Sequence, residues 1–216
     1  MTCHVCLSSI SISNSMKTFD LFVVELEKQI NDTIKTSSGL ELYVDNRFNE
    51  FKHRVNAGPL VAVPFKYDTG AQPGDTLFFH HLVVLNEGQV LTGHEDHYLV
   101  RYCDPSVSVV NNQAIAYKSK DTGKVHPLGG WVVLSPVEEE QEPESEIIEV
   151  VKLKEDPVTR GVVSFDSEKT KELGLEVGDI VGFKKNMDYR FKIDDVEYYR
   201  VDYTDIYYVE EEVHNG

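Results

Sequence analysis

Apolar and β-branched residues come in short runs along this chain, each closed within a few positions by Gly, Pro, Asn or Asp. The runs predict strands at Leu21–Leu26, Leu60–Val63, Thr76–Phe79, Tyr98–Tyr102, Trp131–Leu134, Gly161–Phe165, Ile180–Phe183, Tyr198–Val201 and Ile206–Val209. Helical periodicity is scarce; its longest candidate, Phe48 to Val55, is short and bounded by Asn46 and by Asn56-Ala57-Gly58. Many brief strands separated by turn residues are the mark of small antiparallel barrels or sandwiches, so the fold class is all-β.

The chain also resembles itself. Pro73-Gly74-Asp75-Thr76-Leu77-Phe78-Phe79 is echoed by Val177-Gly178-Asp179-Ile180-Val181-Gly182-Phe183, and Gly58–Val63 by Gly161–Phe165. Leu21–Leu26 pairs with Gly130–Ser135, and Glu95-Asp96 through Val100 with Asp194-Asp195 through Arg200. The matches keep one order at offsets of about one hundred residues, which implies two copies of one unit. This divides the chain into a tail at 1–16, a first domain at 17–110, a linker at 111–125 and a second domain at 126–212. The junction, from Asn111-Asn112 through Lys118-Ser119-Lys120-Asp121-Thr122-Gly123-Lys124, is polar and rich in turn residues, as linkers are.

In both copies a long segment of poor strand character follows the first strand, from about Lys28 to Asn56 and from about Val137 to Arg160. Each holds a small aliphatic patch: Gly39-Leu40-Glu41-Leu42 in the first, Ile147-Ile148-Glu149-Val150-Val151 in the second. The second also opens on Glu138–Glu146, too rich in like charge to pack as a strand. Aliphatic side chains on a solvated loop cost about 25 cal/mol per Å² of apolar surface, a cost that a covering partner would remove.

Charge narrows the function classes. The 216 residues carry 37 Asp and Glu against 21 Lys and Arg, a formal charge of −16, with 41% hydrophobic residues. That core content excludes wholesale disorder. The acidity argues against a nucleic-acid partner and against an anionic membrane surface, and no apolar run approaches the ~20 residues of a spanning helix. Cys3, Cys6 and Cys103 form no disulfide framework, and the start of the chain has neither a basic n-region nor a continuous apolar stretch. Residues 1–15 read as a disordered tail or as residues ahead of the true start. The compartment expected is the cytoplasm, bacterial or of a virus-infected host, ahead of a plastid stroma.

In the second copy, His126-Pro127-Leu128-Gly129-Gly130-Trp131-Val132-Val133-Leu134 and Thr159-Arg160-Gly161 resemble segments of the GroES-type co-chaperonins, the lids of GroEL-type chaperonins: the first is similar to the family's opening strand and the second to the segment that closes its mobile loop. Leu175 through Phe183 resembles its Val-Gly-Asp strand, Ile193 through Tyr199 its Ile-Asp-x-Glu-Glu-Tyr hairpin, and Asp205-Ile206 its closing strand. The first copy keeps Gly58–Val63 and Pro73–Phe79. The resemblance implies two GroES-like, partly open β-barrels in tandem, each with a long mobile loop. It also implies a homo-oligomeric ring, seven-membered in the family, and a GroEL-type chaperonin partner in its ATP-bound state. By position Leu40, Glu41 and Leu42 correspond to the docking tripeptide in the first copy, and Ile147, Ile148, Glu149 and Val150 cover it in the second. Both copies place an acid where the family favours an apolar residue. Pro64–Gln72 and Asp166–Leu173 are short where many members carry a roof hairpin, which implies a ring open at the top. Plastid tandem co-chaperonins are similar in arrangement.

Other chemistry reads less well. Cys3-His4-Val5-Cys6 has half the spacing of a zinc knuckle and no second pair. His80-His81 with His94-Glu95-Asp96-His97 could gather around a metal, but His80 and His81 stand where the second copy has Lys184 and Lys185, so solvated turn residues are expected. Gly93-His94-Glu95 is similar to a zinc alcohol dehydrogenase tripeptide but lies after the Gly-Asp strand instead of before it, and no GxGxxG stands at a strand–helix junction. Nor is there a GxSxG elbow. Trp131 reads as a packing residue of the first strand. Tyr198-Tyr199, Tyr203 and Tyr207-Tyr208 could stack bases, but Asp194, Asp195, Asp202, Asp205 and Glu210–Glu212 around them would repel phosphates. The expectation is a non-enzymatic co-chaperonin without cofactor or metal. The alternative is a β-barrel assembly or scaffolding protein that keeps the fold without binding a chaperonin, and a metal enzyme stands third.

Overall fold

The computed structural model describes residues 16–27, 33–43, 53–85, 89–137 and 158–210. The tail at 1–15, most of the candidate helix Phe48–Val55 and the patch Ile147–Val150 lie outside these residues.

The first half holds β1 (Leu21–Glu25), β2 (Thr33–Lys35), β3 (Glu41–Tyr43), β4 (Ala57–Ala62), β5 (Thr76–Phe79), α1 (Leu82–Leu85), β6 (Val90–Leu91), β7 (His94–Arg101) and β8 (Ala114–Lys118). The second holds β9 (Val125–Pro127), β10 (Trp131–Ser135), β11 (Arg160–Val163), α2 (Glu168–Glu172), β12 (Ile180–Phe183), β13 (Tyr189–Ile193), β14 (Val196–Asp202) and β15 (Ile206–Glu210). Two antiparallel sheets result, in the orders β6-β7-β1-β4-β5-β8-β9 and β13-β14-β10-β11-β12-β15, and β2-β3 is a separate hairpin.

Strand for strand, β6-β7-β1-β4-β5-β8 repeats as β13-β14-β10-β11-β12-β15, and the repeat extends to single hydrogen bonds. Leu60 N–H donates to the Asp75 carbonyl at 2.8 Å, as Val163 N–H does to Asp179 at 2.8 Å. Phe79 N–H donates to Asn56 and Phe183 N–H to Thr159, both at 2.8 Å. The carboxylate of Asp75 accepts from Gln72 N–H and that of Asp179 from Glu176 N–H, each at 2.8 Å. Gly74 and Gly178 close these turns at φ of 95° and 106°, a region that costs a residue with a Cβ. Even the irregularity between β5 and β8, at Phe78/Phe79, recurs between β12 and β15 at Gly182/Phe183.

Two details differ from the sequence comparison. Val24 and Leu134 are the equivalent residues of the first strands, since they pair with Leu60 and Tyr98 and with Val163 and Tyr199 respectively. The expected alignment set Val24 against Val133 and Val100 against Arg200, each one residue off. A one-residue slip turns every side chain to the other face, which the all-apolar run Val132-Val133-Leu134 conceals from sequence. The second difference is the stretch 111–125. It contains β8, whose Ala114, Ile115 and Ala116 are fully buried, and it reaches the start of β9. Its polar flanks mask five residues that close the first sheet against β5.

Each half has a core of its own. Phe22, Val24, Leu77, Phe79 and Val100 are fully buried in the first, as are Val132, Leu134, Val181 and Val201 in the second. A third cluster draws on both: Phe78, Ile115 and Ala116 pack with Val133, Phe191 and Ile193. Burial of this kind contributes about 1.5–3 kcal/mol per large side chain, so the halves share a hydrophobic seam beyond the covalent link.

Candidate functional site

The site expected in the first half is the β2-β3 hairpin. Its strands pair in antiparallel register, Thr33 with Tyr43, Ile34 with Leu42 and Lys35 with Glu41. Alternation along β3 sets Leu40 and Leu42 on one side and Glu41 and Tyr43 on the other. Leu40, Leu42 and Tyr43 are 59%, 48% and 86% exposed, values far from those of the cores, and Glu41 is exposed too. The hairpin thus holds two leucines in water on an element that pairs with neither large sheet. Its turn is ordered by Thr36, whose N–H donates to the Leu40 carbonyl at 2.8 Å and whose carbonyl accepts from Gly39 N–H at 2.9 Å. Ile147, Ile148, Glu149 and Val150 cannot be compared, as they lie outside the described residues.

The seam holds the histidines read as a possible metal pair. His80 stacks on Tyr189 at 4.3 Å between centroids and on His81 at 4.7 Å. Tyr189 Oη accepts from His81 N–H at 3.0 Å and sits 3.0 Å from its Nδ1. Arg200 lies over the Trp131 ring at 3.8 Å and near that of Tyr189 at 4.9 Å. Burial, reinforced by the positive charge of Arg200, holds the His80 imidazole down to about 3, and burial brings Arg200 to about 10. His81 is therefore a buried seam residue, not the solvated turn residue expected, because β13 of the other half lies across it. His94 and His97 lie on β7, with His97 Nδ1 2.7 Å from Asp96 Oδ1. Among the described residues no three His, Cys, Asp or Glu are grouped to hold a metal ion.

A second exposed surface is the outer edge of β15. Tyr207, Tyr208 and Val209 are 67%, 50% and 43% exposed. Their counterpart β8 carries β9 on the same edge. The signal was available in the aromatic ending, but which of its neighbours would be covered depends on pairing.

Comparison with known proteins gives the class. Residues 124–209 match the family described as Chaperonin 10 Kd subunit. The chain is 39% identical over 83 residues to a co-chaperonin GroES of Pseudothermotoga lettingae, spanning 38% of this chain and 92% of that one. It is 34% identical over 83 residues to that of Thermosipho melanesiensis, with the same shares, and 36% over 84 residues to that of Thermotoga neapolitana, spanning 38% and 91%. Two antiparallel sheets built on one repeated pattern, with a family match across the second, define an all-β protein of two GroES-like barrels. The chain belongs to the GroES-type co-chaperonin family. No helix among the described residues is long and apolar enough to cross a membrane.

Proposed function

We propose that this protein is a cytoplasmic lid for a GroEL-type chaperonin, binding when that partner holds ATP and enclosing a client while it folds. The observation that carries the reading is the exposed hairpin: Leu40 and Leu42 stand in water on a co-chaperonin fold, where an apolar groove on another protein would cover them. Each leucine buried contributes about 1.5–3 kcal/mol. Ordering loop residues costs about 1–2 kcal/mol each, so one loop binds weakly and releases readily. Several loops on one assembly act together through effective concentration. Ile147–Val150 is the second hook in this reading, and nucleotide hydrolysis belongs to the partner.

The assembly is a ring of copies. β9, the entry to the second repeat, covers the edge of β8 within one chain. The equivalent edge of β15 is open among the described residues, and an open strand edge invites a strand from another chain.

The test is capture of the full chain by a GroEL-type chaperonin with ATP or ADP, for the wild type, Leu42→Asp and Val150→Asp, alongside native mass measurement. Nucleotide-dependent capture weakened by each change is expected. Capture insensitive to both removes the assignment of the hooks, and a folded chain that assembles without capture favours the scaffolding alternative.

A further inference from the structure

The side of β3 opposite Leu40 and Leu42 carries Glu41 and Tyr43, two positions apart and so about 7 Å apart along one side of the strand. Both are exposed. The second half shows what such a pair holds. On β14, Glu197 and Tyr199 have the same spacing, and Arg190 of β13 serves both. Its Nη1 lies 3.9 Å from Glu197 Oε1, and its guanidinium carbon lies 5.8 Å from the centre of the Tyr199 ring. A planar cation can face an aromatic ring and still donate to a neighbouring carboxylate.

The two hairpins share a register. Lys192 pairs with Glu197 and Arg190 with Tyr199, as Lys35 pairs with Glu41 and Thr33 with Tyr43. Thr33 therefore stands in the place of Arg190, and among the described residues neither an ion pair at Glu41 nor a ring contact at Tyr43 takes over its work. We infer that Glu41 and Tyr43 together receive a cationic side chain, an arginine or a lysine, from the rim of the partner's groove. The inference rests on the proposed docking of Leu40 and Leu42. Once those leucines are seated, Glu41 stands between them against the partner, where a carboxylate without a cation loses its water and weakens binding. The second patch repeats the arrangement in sequence, with Glu149 between Ile148 and Val150. Alternation along an extended docked strand is all that this requires, so the cost of ordering the loop on binding stands. The cation adds selectivity: a chaperonin with an equally apolar groove but a neutral or acidic rim is disfavoured.

Affinity of the full chain for the GroEL-type chaperonin of the capture experiment, measured with ATP at about 50 mM and about 500 mM salt, tests it. Glu41→Gln keeps the size and loses the charge. Tyr43→Leu keeps apolar surface and loses the ring, which Tyr43→Phe restores. Glu41→Gln and Tyr43→Leu are each expected to weaken binding about two- to fivefold for each hook engaged at low salt, the range for an exposed ion pair or cation–ring contact. Tyr43→Phe is expected to recover the loss. The double variant is expected to lose less than the product of the two single losses, because one cation serves both residues. The wild type is expected to weaken with salt more steeply than Glu41→Gln. Binding by Glu41→Gln as tight as that of the wild type at both salt concentrations, where Leu42→Asp abolishes binding, overturns the cation and leaves the docking reading standing. Single losses that multiply in full overturn its sharing by Glu41 and Tyr43. A wild type that does not bind, or a Leu42→Asp variant that binds as well as wild type, overturns the docking reading and the cation with it.

Discussion

The indole Nε1–H of Trp131 donates to the carbonyl of Ala114 at 3.1 Å, joining β10 of the second sheet to β8 of the first. Both residues are buried, so neither group has water as a substitute. The guanidinium of Arg200 covers the other face of the contact, 3.8 Å from the indole ring. Trp131→Phe, which keeps an aromatic ring but loses the donor and leaves the Ala114 carbonyl unmet, is expected to destabilise the chain by about 1–3 kcal/mol. Trp131→Ala is expected to cost about 3–5 kcal/mol. Urea unfolding followed by fluorescence of the remaining aromatics and by circular dichroism measures both.

Gly58 and Gly161 occupy equivalent places on β4 and β11, where the first strand of each sheet presses closest. A Cβ on Gly161 would meet Leu134 Cβ at 2.8 Å, an atom fixed to the backbone of a buried strand, and the Ser135 carbonyl at 3.2 Å. On Gly58 it would meet Leu26 Cδ2 at 2.5 Å, the far end of a side chain that can turn away. Gly161→Ala is therefore expected to lose about 1–3 kcal/mol and Gly58→Ala less, read as the difference in urea midpoint at constant slope. Equal losses would contradict the difference in rigidity.

Asp75 and Asp179 close the same turn, but Asp75 does more. Its Oδ2 accepts from Gln72 N–H and its Oδ1 from Lys120 N–H at 2.9 Å, beyond the end of β8. Asp75 is buried, whereas Asp179 is half-buried with Glu176 N–H as the matching partner. Asp75→Ala is expected to cost about 2–3 kcal/mol and Asp179→Ala about 1 kcal/mol. Thermal unfolding of the two variants side by side checks the order.

Acid should act on the seam through His80. Its folded value, about 3, lies below the ordinary 6.5, so between those limits the unfolded chain binds the extra proton. The stability that neutral His80 allows is fully present above about pH 6.5 and is lost as pH falls toward 3. Arg200 and Arg54 face the ring and add to the penalty for a second charge there, as His81 does when protonated. His80→Phe, which keeps a ring to stack on Tyr189, is expected to flatten the decline of the unfolding midpoint between pH 6 and pH 4. A variant that declines as steeply as wild type would assign the acid sensitivity elsewhere.

Nine of the fifteen described strands and the repetition were legible in the sequence, because alternation and Gly-Asp turns are local. Thr76–Phe79 and Ile180–Phe183 form where the two Gly-Asp turns predict them, and the same turn chemistry recurs in both. It also marked Leu40 and Leu42 as aliphatics without a core of their own, and the structure leaves both exposed. Tertiary structure alone decided the rest. Ala114–Lys118 looks like part of a polar connector until β5 and β9 pair with its two edges and Trp131 caps its first carbonyl. The register of Val132-Val133-Leu134 is undetermined in an all-apolar run, and pairing with β11 and β14 fixes it. His81 changes from a turn residue into a buried one only because Tyr189, 108 residues away, lies across it. Local pattern reports which residues prefer to be covered; which surface covers them is a property of chain segments that meet only in the folded state.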